Sequence, residues 1–132
     1  MTPAEAPNTE PAAAGTLLVV EDEVLIRTLM CDFLRGEGFT VIEAADADEG
    51  QQVLRSAAPL ALMITDVRMP GALDGIALAR LARQIRPGLR LIVSSGHAAE
   101  PEALRAADLF MRKPYDLAHL ARRIRELISP PA

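Results

Sequence analysis

The chain has 132 residues, 50% of them apolar and 24% charged, with a formal net charge of −4, the composition of one ordinary globular domain. The acidic balance argues against direct nucleic-acid binding, which calls for a basic excess, and no apolar run approaches the ~20 residues of a membrane span. A single cysteine, Cys31, excludes an internal disulfide and a cysteine-based zinc cluster, and two histidines make an imidazole metal site improbable; with no signal-peptide layout at the N-terminus, a cytoplasmic location is expected.

Residues 1–15 hold three prolines and no large apolar residue after Met1, so the segment is expected to be a disordered tail. The globular unit is expected over 16–128, and 129–132 forms a Pro-rich stub. Strands are predicted at 16–20, 40–44, 60–65, 89–94 and 108–112; the runs LLVV and LALMIT are continuously apolar, as in strands covered on both faces. The first helix, 24–35, is expected to bury Leu25, Ile26, Leu29, Met30, Phe33 and Leu34 on one wide face, with Cys31 off that face and without a role. A second helix, 47–56, carries the capping-box spacing of Asp46 and Glu49 but has Gly50 inside it. The third, 75–86, follows Asp74 as N-cap and stops at Pro87-Gly88. The fourth, 100–107, is short and Ala-rich, and the fifth, 116–128, sets Leu117, Leu120, Ala121, Ile124 and Leu127 at helical spacing. The order βαβαβαβαβα predicts an α/β fold, a doubly wound parallel sheet of five strands with right-handed crossovers.

Ligands of such folds bind beyond the carboxyl ends of the strands. There stand Glu21, Asp22 and Glu23 after strand one, Asp66 after strand three, Ser94 and Ser95 after strand four, and Lys113 after strand five. Clustered carboxylates repel unless a cation joins them, and a hard divalent ion with oxygen ligands, Mg²⁺ above all, suits them. With such an ion, a hydroxyl and an ammonium complete a set able to hold a phosphoryl group, one carboxylate serving as nucleophile. Lys113 is the single lysine among 14 basic residues. Coding bias explains the other 13 as arginine; a need for a compact ammonium would explain the exception.

The runs LLVVEDE, MITDVRMPGALDG, IVSSGH and FMRKPYD occur in that order and strongly resemble the receiver domain of two-component response regulators over roughly 16–128. The resemblance implies a flavodoxin-like strand order of 2-1-3-4-5. It makes Asp66 the phosphoacceptor and Glu21, Asp22, Asp66 and the backbone carbonyl of Arg68 the residues that hold Mg²⁺, Asp22 directly and Glu21 through water, with Ser95 as the hydroxyl and Ser94 the weaker match. Lys113 would pair with the phosphoryl oxygens, the Lys113-Pro114 bond would be cis, and Phe110 would be the aromatic that reorients on phosphorylation. Read without the family, Glu23 is a solvated helix start, Asp74 an N-cap and Phe110 core packing.

The chain departs from the common receiver pattern in a loop one residue longer between Pro70 and Asp74, and in a shorter stretch from Ser95 to Lys113 that predicts a truncated fourth helix. Arg68 and the exposed His97 hold positions expected to set phosphoryl lifetime. The resemblance implies a stand-alone receiver that takes its phosphoryl group from a histidine kinase or histidine-phosphotransfer protein and catalyses only its own phosphorylation and dephosphorylation. It would then signal through a downstream protein or serve as a phosphate sink, and the Arg122, Arg123 and Arg125 face offers a place to dimerise. A phosphorylation-independent interaction module is the alternative. A phosphatase working through an aspartyl phosphate lacks its second Asp, since Arg68 stands two residues after Asp66.

Overall fold

A computed structural model describes residues 15–71, 73–96 and 101–128. The expected disordered tail, apart from Gly15, the terminal stub and His97 lie outside the described residues. The elements are β1 (Thr16–Val20), α1 (Val24–Gly36), β2 (Thr40–Ala44), α2 (Ala47–Arg55), β3 (Leu62–Asp66), α3 (Gly75–Ile85), β4 (Arg90–Ser95), α4 (Pro101–Ala106), β5 (Leu109–Arg112) and α5 (Leu117–Ile128). All strand pairs are parallel, in the order β2-β1-β3-β4-β5.

Alternation along each strand divides the core in two. Leu18, Val20, Met63, Leu91 and Val93 pack beneath α2, α3 and α4 on Leu54, Leu78, Ala82 and Ala103. Leu17, Val19, Leu62, Ile64 and Ile92 face α1 and α5 through Met30, Cys31, Leu34, Leu120 and Ile124. The interior strand β1, flanked by β2 and β3, is therefore buried at every residue.

The buried face of α1 differs from the expected one. Met30, Cys31 and Leu34 are buried, whereas Leu25 is 70% and Leu29 58% exposed, with Val24 beside them at 66%. The spacing 27, 30, 31, 34 traces one seam at 3.6 residues per turn, and Leu25 and Leu29 lie on the opposite side of the helix. Cys31 thus serves as a small apolar core residue, and burial pushes its thiol up to about 11.

The capping predictions hold. Asp46 Oδ1 accepts from the Glu49 N–H at 2.9 Å, and Glu49 Oε1 accepts in return from Ala45 N–H at 2.8 Å. Asp74 Oδ1 accepts from the Ala77 N–H at 2.9 Å, which sets the start of α3. Both strands leading to the site run one residue further than predicted: Asp66 ends β3 and Ser95 ends β4. The ladder carries them, since Asp66 lies opposite Ser94 and the Val67 N–H donates to the Ser94 carbonyl at 2.8 Å. Helix α4 has six described residues, Pro101–Ala106, and the stretch 97–100 before it lies outside the described residues.

Candidate functional site

Parity decides which strand-end side chains meet. Glu21 follows Val19 on the α1 and α5 side of the sheet, Asp66 follows Ile64, and Lys113 follows Met111, so these three converge above one face. The Lys113 ammonium lies 3.2 Å from Asp66 Oδ2 and 3.5 Å from Glu21 Oε1. One oxygen from each of Glu21, Asp22 and Asp66 falls within 4.8 Å of the others. Asp22 is half-buried and Glu23 exposed, and the Glu23 N–H donates to Glu21 Oε2 at 3.1 Å.

The electrostatics follow from burial. Glu21 is only 3% exposed, and desolvation holds its carboxyl above the usual range despite the Glu23 N–H and Lys113, which pull it down. Burial alone would lower the Lys113 ammonium, but the Asp66 and Glu21 carboxylates outweigh it and keep its pKa raised. Three carboxylates against one ammonium leave the cluster short of positive charge. The donors are all hard oxygens, the set that suits a hard divalent ion such as Mg²⁺.

The two serines separate by the same parity. Ser95 shares the α3 and α4 side with Val93, the side on which half-buried Phe110 packs. Ser94 turns to the other side. There the Tyr115 hydroxyl is buried beside Ser94 without a partner at hydrogen-bonding geometry, and burial raises its pKa. The Lys113-Pro114 bond is cis, as the resemblance implied. The Arg68 side chain is exposed and lines a polar hollow with Val67, Met69 and Asp74.

Three features were not read from the sequence. A Cβ on Gly75 would lie 1.7 Å from the Asp66 carbonyl oxygen, and the Gly75 N–H donates to the Val67 carbonyl at 3.0 Å. Helix α3 can start against the phosphoacceptor strand because that residue has no side chain. The signal was available: glycine is the poorest ordinary helix former, yet it directly follows the N-cap. Second, the Arg27 guanidinium donates to the Glu21 carbonyl at 2.7 Å. Third, exposed Leu29 joins Ile26, Pro114 and Leu117 around an apolar groove of about 270 Å³ that reaches Lys113.

Comparison with known proteins places this geometry. Residues 17–125 match the family described as the response regulator receiver domain. The response regulator receiver protein Anae109_2439 of Anaeromyxobacter is 35% identical over 108 residues, which cover 82% of this chain and 43% of that protein. The chain spans between 13% and 51% of the length of such curated relatives. The crystal structure of a CheY-like receiver domain protein from Methanospirillum hungatei superposes with a TM-score of 0.80 at 29% identity, covering 86% of this chain and 92% of that one. TrrA from Thermotoga maritima, solved in complex with Mg(2+)-BeF, gives 0.78 at 26% identity over 85% of this chain and 97% of its own. The chain is a member of the receiver domain family of two-component response regulators.

Proposed function

We propose that the domain accepts a phosphoryl group on Asp66 from a phosphohistidine of a histidine kinase or histidine-phosphotransfer protein, in a Mg²⁺-dependent reaction. The observation that carries this reading is the Lys113 ammonium between Asp66 and Glu21. In the transfer, an Asp66 carboxylate oxygen attacks phosphorus and the new P–O bond forms as the donor's P–N bond breaks. The departing imidazole keeps the electron pair and takes up a proton.

Glu21, Asp22, Asp66 and the Arg68 carbonyl would hold Mg²⁺, which supplies charge neutralisation on the phosphoryl oxygens when bound. Lys113 neutralises a further oxygen, and its raised pKa keeps it charged throughout the physiological range. Ser95 donates a hydrogen bond to the phosphoryl group, and Phe110, on the same side of the sheet, reorients as Ser95 moves. The exposed Arg68 side chain controls the approach of water to the acyl phosphate, so it sets the dephosphorylation rate. The chemistry is confined to the domain's own Asp66.

The apolar groove beside Lys113, rimmed by exposed Leu29, supports docking of the donor there, because a helix carrying the phosphohistidine needs an apolar seat close to Asp66. In this reading the protein works in the cytoplasm as a stand-alone receiver that signals through a separate protein or drains phosphoryl groups from a relay. The test is transfer from a labelled phosphohistidine protein. Label should move to wild-type protein with Mg²⁺ and fail to move with a chelator or with Asp66→Asn. Unchanged partner binding by Asp66→Asn would instead favour an interaction module that needs no phosphorylation.

A further inference from the structure

We infer that Arg27 is a positioning residue for the acidic pair, fixing the peptide between Glu21 and Asp22 so that both carboxylates converge on Asp66 and bind Mg²⁺. The inference rests on the proposed Mg²⁺ site and concerns how that site is held in shape.

Arg27 lies in the first turn of α1 with its side chain only 16% exposed. Its Nη1 donates to the Glu21 carbonyl at 2.7 Å, while its Nε donates to Glu43 Oε1 at 3.2 Å. Glu43 is in turn gripped by Arg35, whose Nη1 reaches Glu43 Oε2 at 2.9 Å and whose Nη2 reaches the Val41 carbonyl at 3.0 Å. The guanidinium is thus braced on β2 while it holds the turn leaving β1. Its planar fork suits two acceptors at fixed angles.

The Glu21 carbonyl is the place where such a grip has leverage. The ladder of β1 ends at Val20 opposite Ala44, and the Glu21 N–H makes one more bond, to the Ala44 carbonyl at 3.1 Å. Beyond that the chain leaves the sheet, and the Glu21 carbonyl has no backbone partner among the described residues. The tilt of this peptide sets the directions of both Glu21 and Asp22. Mutual repulsion of three carboxylates within 4.8 Å favours tilts that spread them apart. With its N–H tied to β2 and its carbonyl to Arg27, the turn cannot relax that way.

Positioning and plain electrostatics predict opposite signs. Arg27 is a cation beside a cation site, so if charge alone mattered its removal would tighten Mg²⁺ binding. If it positions the ligands, removal weakens binding, by about ten- to a hundredfold on the scale of groups that orient metal ligands. Calorimetric titration of the whole chain with MgCl₂ decides, with wild type, Arg27→Met and Arg35→Met compared and thermal unfolding run alongside. We expect Arg27→Met to weaken Mg²⁺ binding by that factor, with the phosphorylation rate recovering at saturating Mg²⁺. Arg35→Met, which removes the same charge from the same helix and loosens the Glu43 brace but leaves the Arg27 bond to the Glu21 carbonyl in place, should weaken binding less than Arg27→Met.

Binding by Arg27→Met as tight as wild type or tighter, or equal weakening by Arg35→Met, overturns the inference. Should Arg27→Met fail to fold, Arg27→Lys carries the same test, because an ammonium cannot span both acceptors. Weakened binding then supports the inference, and unchanged or tighter binding overturns it. Absence of Mg²⁺ binding in the wild-type chain is a separate result, which rejects the Mg²⁺ site itself.

Discussion

Replacing Gly75 by alanine puts a methyl carbon 1.7 Å from the Asp66 carbonyl oxygen and 3.0 Å from Val67 Cα. Ordinary contact distances are about 3.5 Å, so the start of α3 and the end of β3 must separate by roughly 1.5–2 Å. Both neighbours are backbone, so no side chain can swing aside. The shift breaks the 3.0 Å bond from the Gly75 N–H to the Val67 carbonyl. Overpacking of this kind costs about 1–3 kcal/mol and the lost buried bond about 1 kcal/mol, against a gain of about 1 kcal/mol from alanine's better helix propensity. The net is a loss of about 1–3 kcal/mol, and the displaced Asp66 no longer meets Lys113 at 3.2 Å. Misplacement by ~1 Å can cost about a hundredfold in rate. Gly50 supplies the control. A Cβ there would meet only the side-chain ends of Leu78 and Val20, at 3.1 Å, so those methyls can give and Gly50→Ala should be near neutral, within about 1 kcal/mol. Urea unfolding of both variants, together with phosphorylation of each by a small phosphodonor, checks the pair. Wild-type stability and phosphorylation in Gly75→Ala would refute the close approach.

Lys113→Arg keeps the charge but replaces a compact ammonium, seated between Asp66 and Glu21, with a wider fork. Phosphorylation-dependent changes in partner binding should fall at least about tenfold, and full switching in that variant would leave the lone lysine to chance. Glu21 is held above the ordinary carboxylate range by burial, so its ionised form costs the fold stability at neutral pH. Glu21→Gln should therefore raise the unfolding midpoint near pH 7, an advantage that fades as pH falls through the raised native pKa and vanishes below the unfolded value of about 4.3; the same variant should lose Mg²⁺ binding. Arg86 donates to the Leu54, Ala58 and Ser56 carbonyls at 3.0, 2.6 and 2.8 Å, tying the end of α3 to the end of α2. Arg86→Met should lower stability by about 2–3 kcal/mol in chemical denaturation and leave Mg²⁺ affinity unchanged.

What the sequence disclosed was local or periodic. The continuous apolar run of β1, the capping spacings at Asp46 and Asp74, and the β-α alternation each follow from rules that act over a few residues. The strand ends then brought Glu21, Asp22, Asp66 and Lys113 into view because parallel topology places them together. The features that escaped are contacts between distant segments. Arg27 reaches Glu43 on β2, Arg86 reaches across to α2, and Gly75 matters because of a carbonyl nine residues earlier. No periodicity encodes those. The misread face of α1 has a related cause: Leu25 and Leu29 are as apolar as Met30 and Leu34, and only packing against the sheet shows that they stay outside.

Every step of the proposed transfer depends on Asp66 as the phosphoacceptor. The most direct test of that role is intact-mass analysis of the chain after incubation with Mg²⁺ and a small phosphodonor, followed by borohydride reduction and peptide mapping to locate the acyl phosphate. One added phosphoryl group is expected, on Asp66, absent when Mg²⁺ is chelated and absent in Asp66→Asn. No mass gain in the wild-type chain with saturating Mg²⁺, or an unchanged gain in Asp66→Asn, would contradict it.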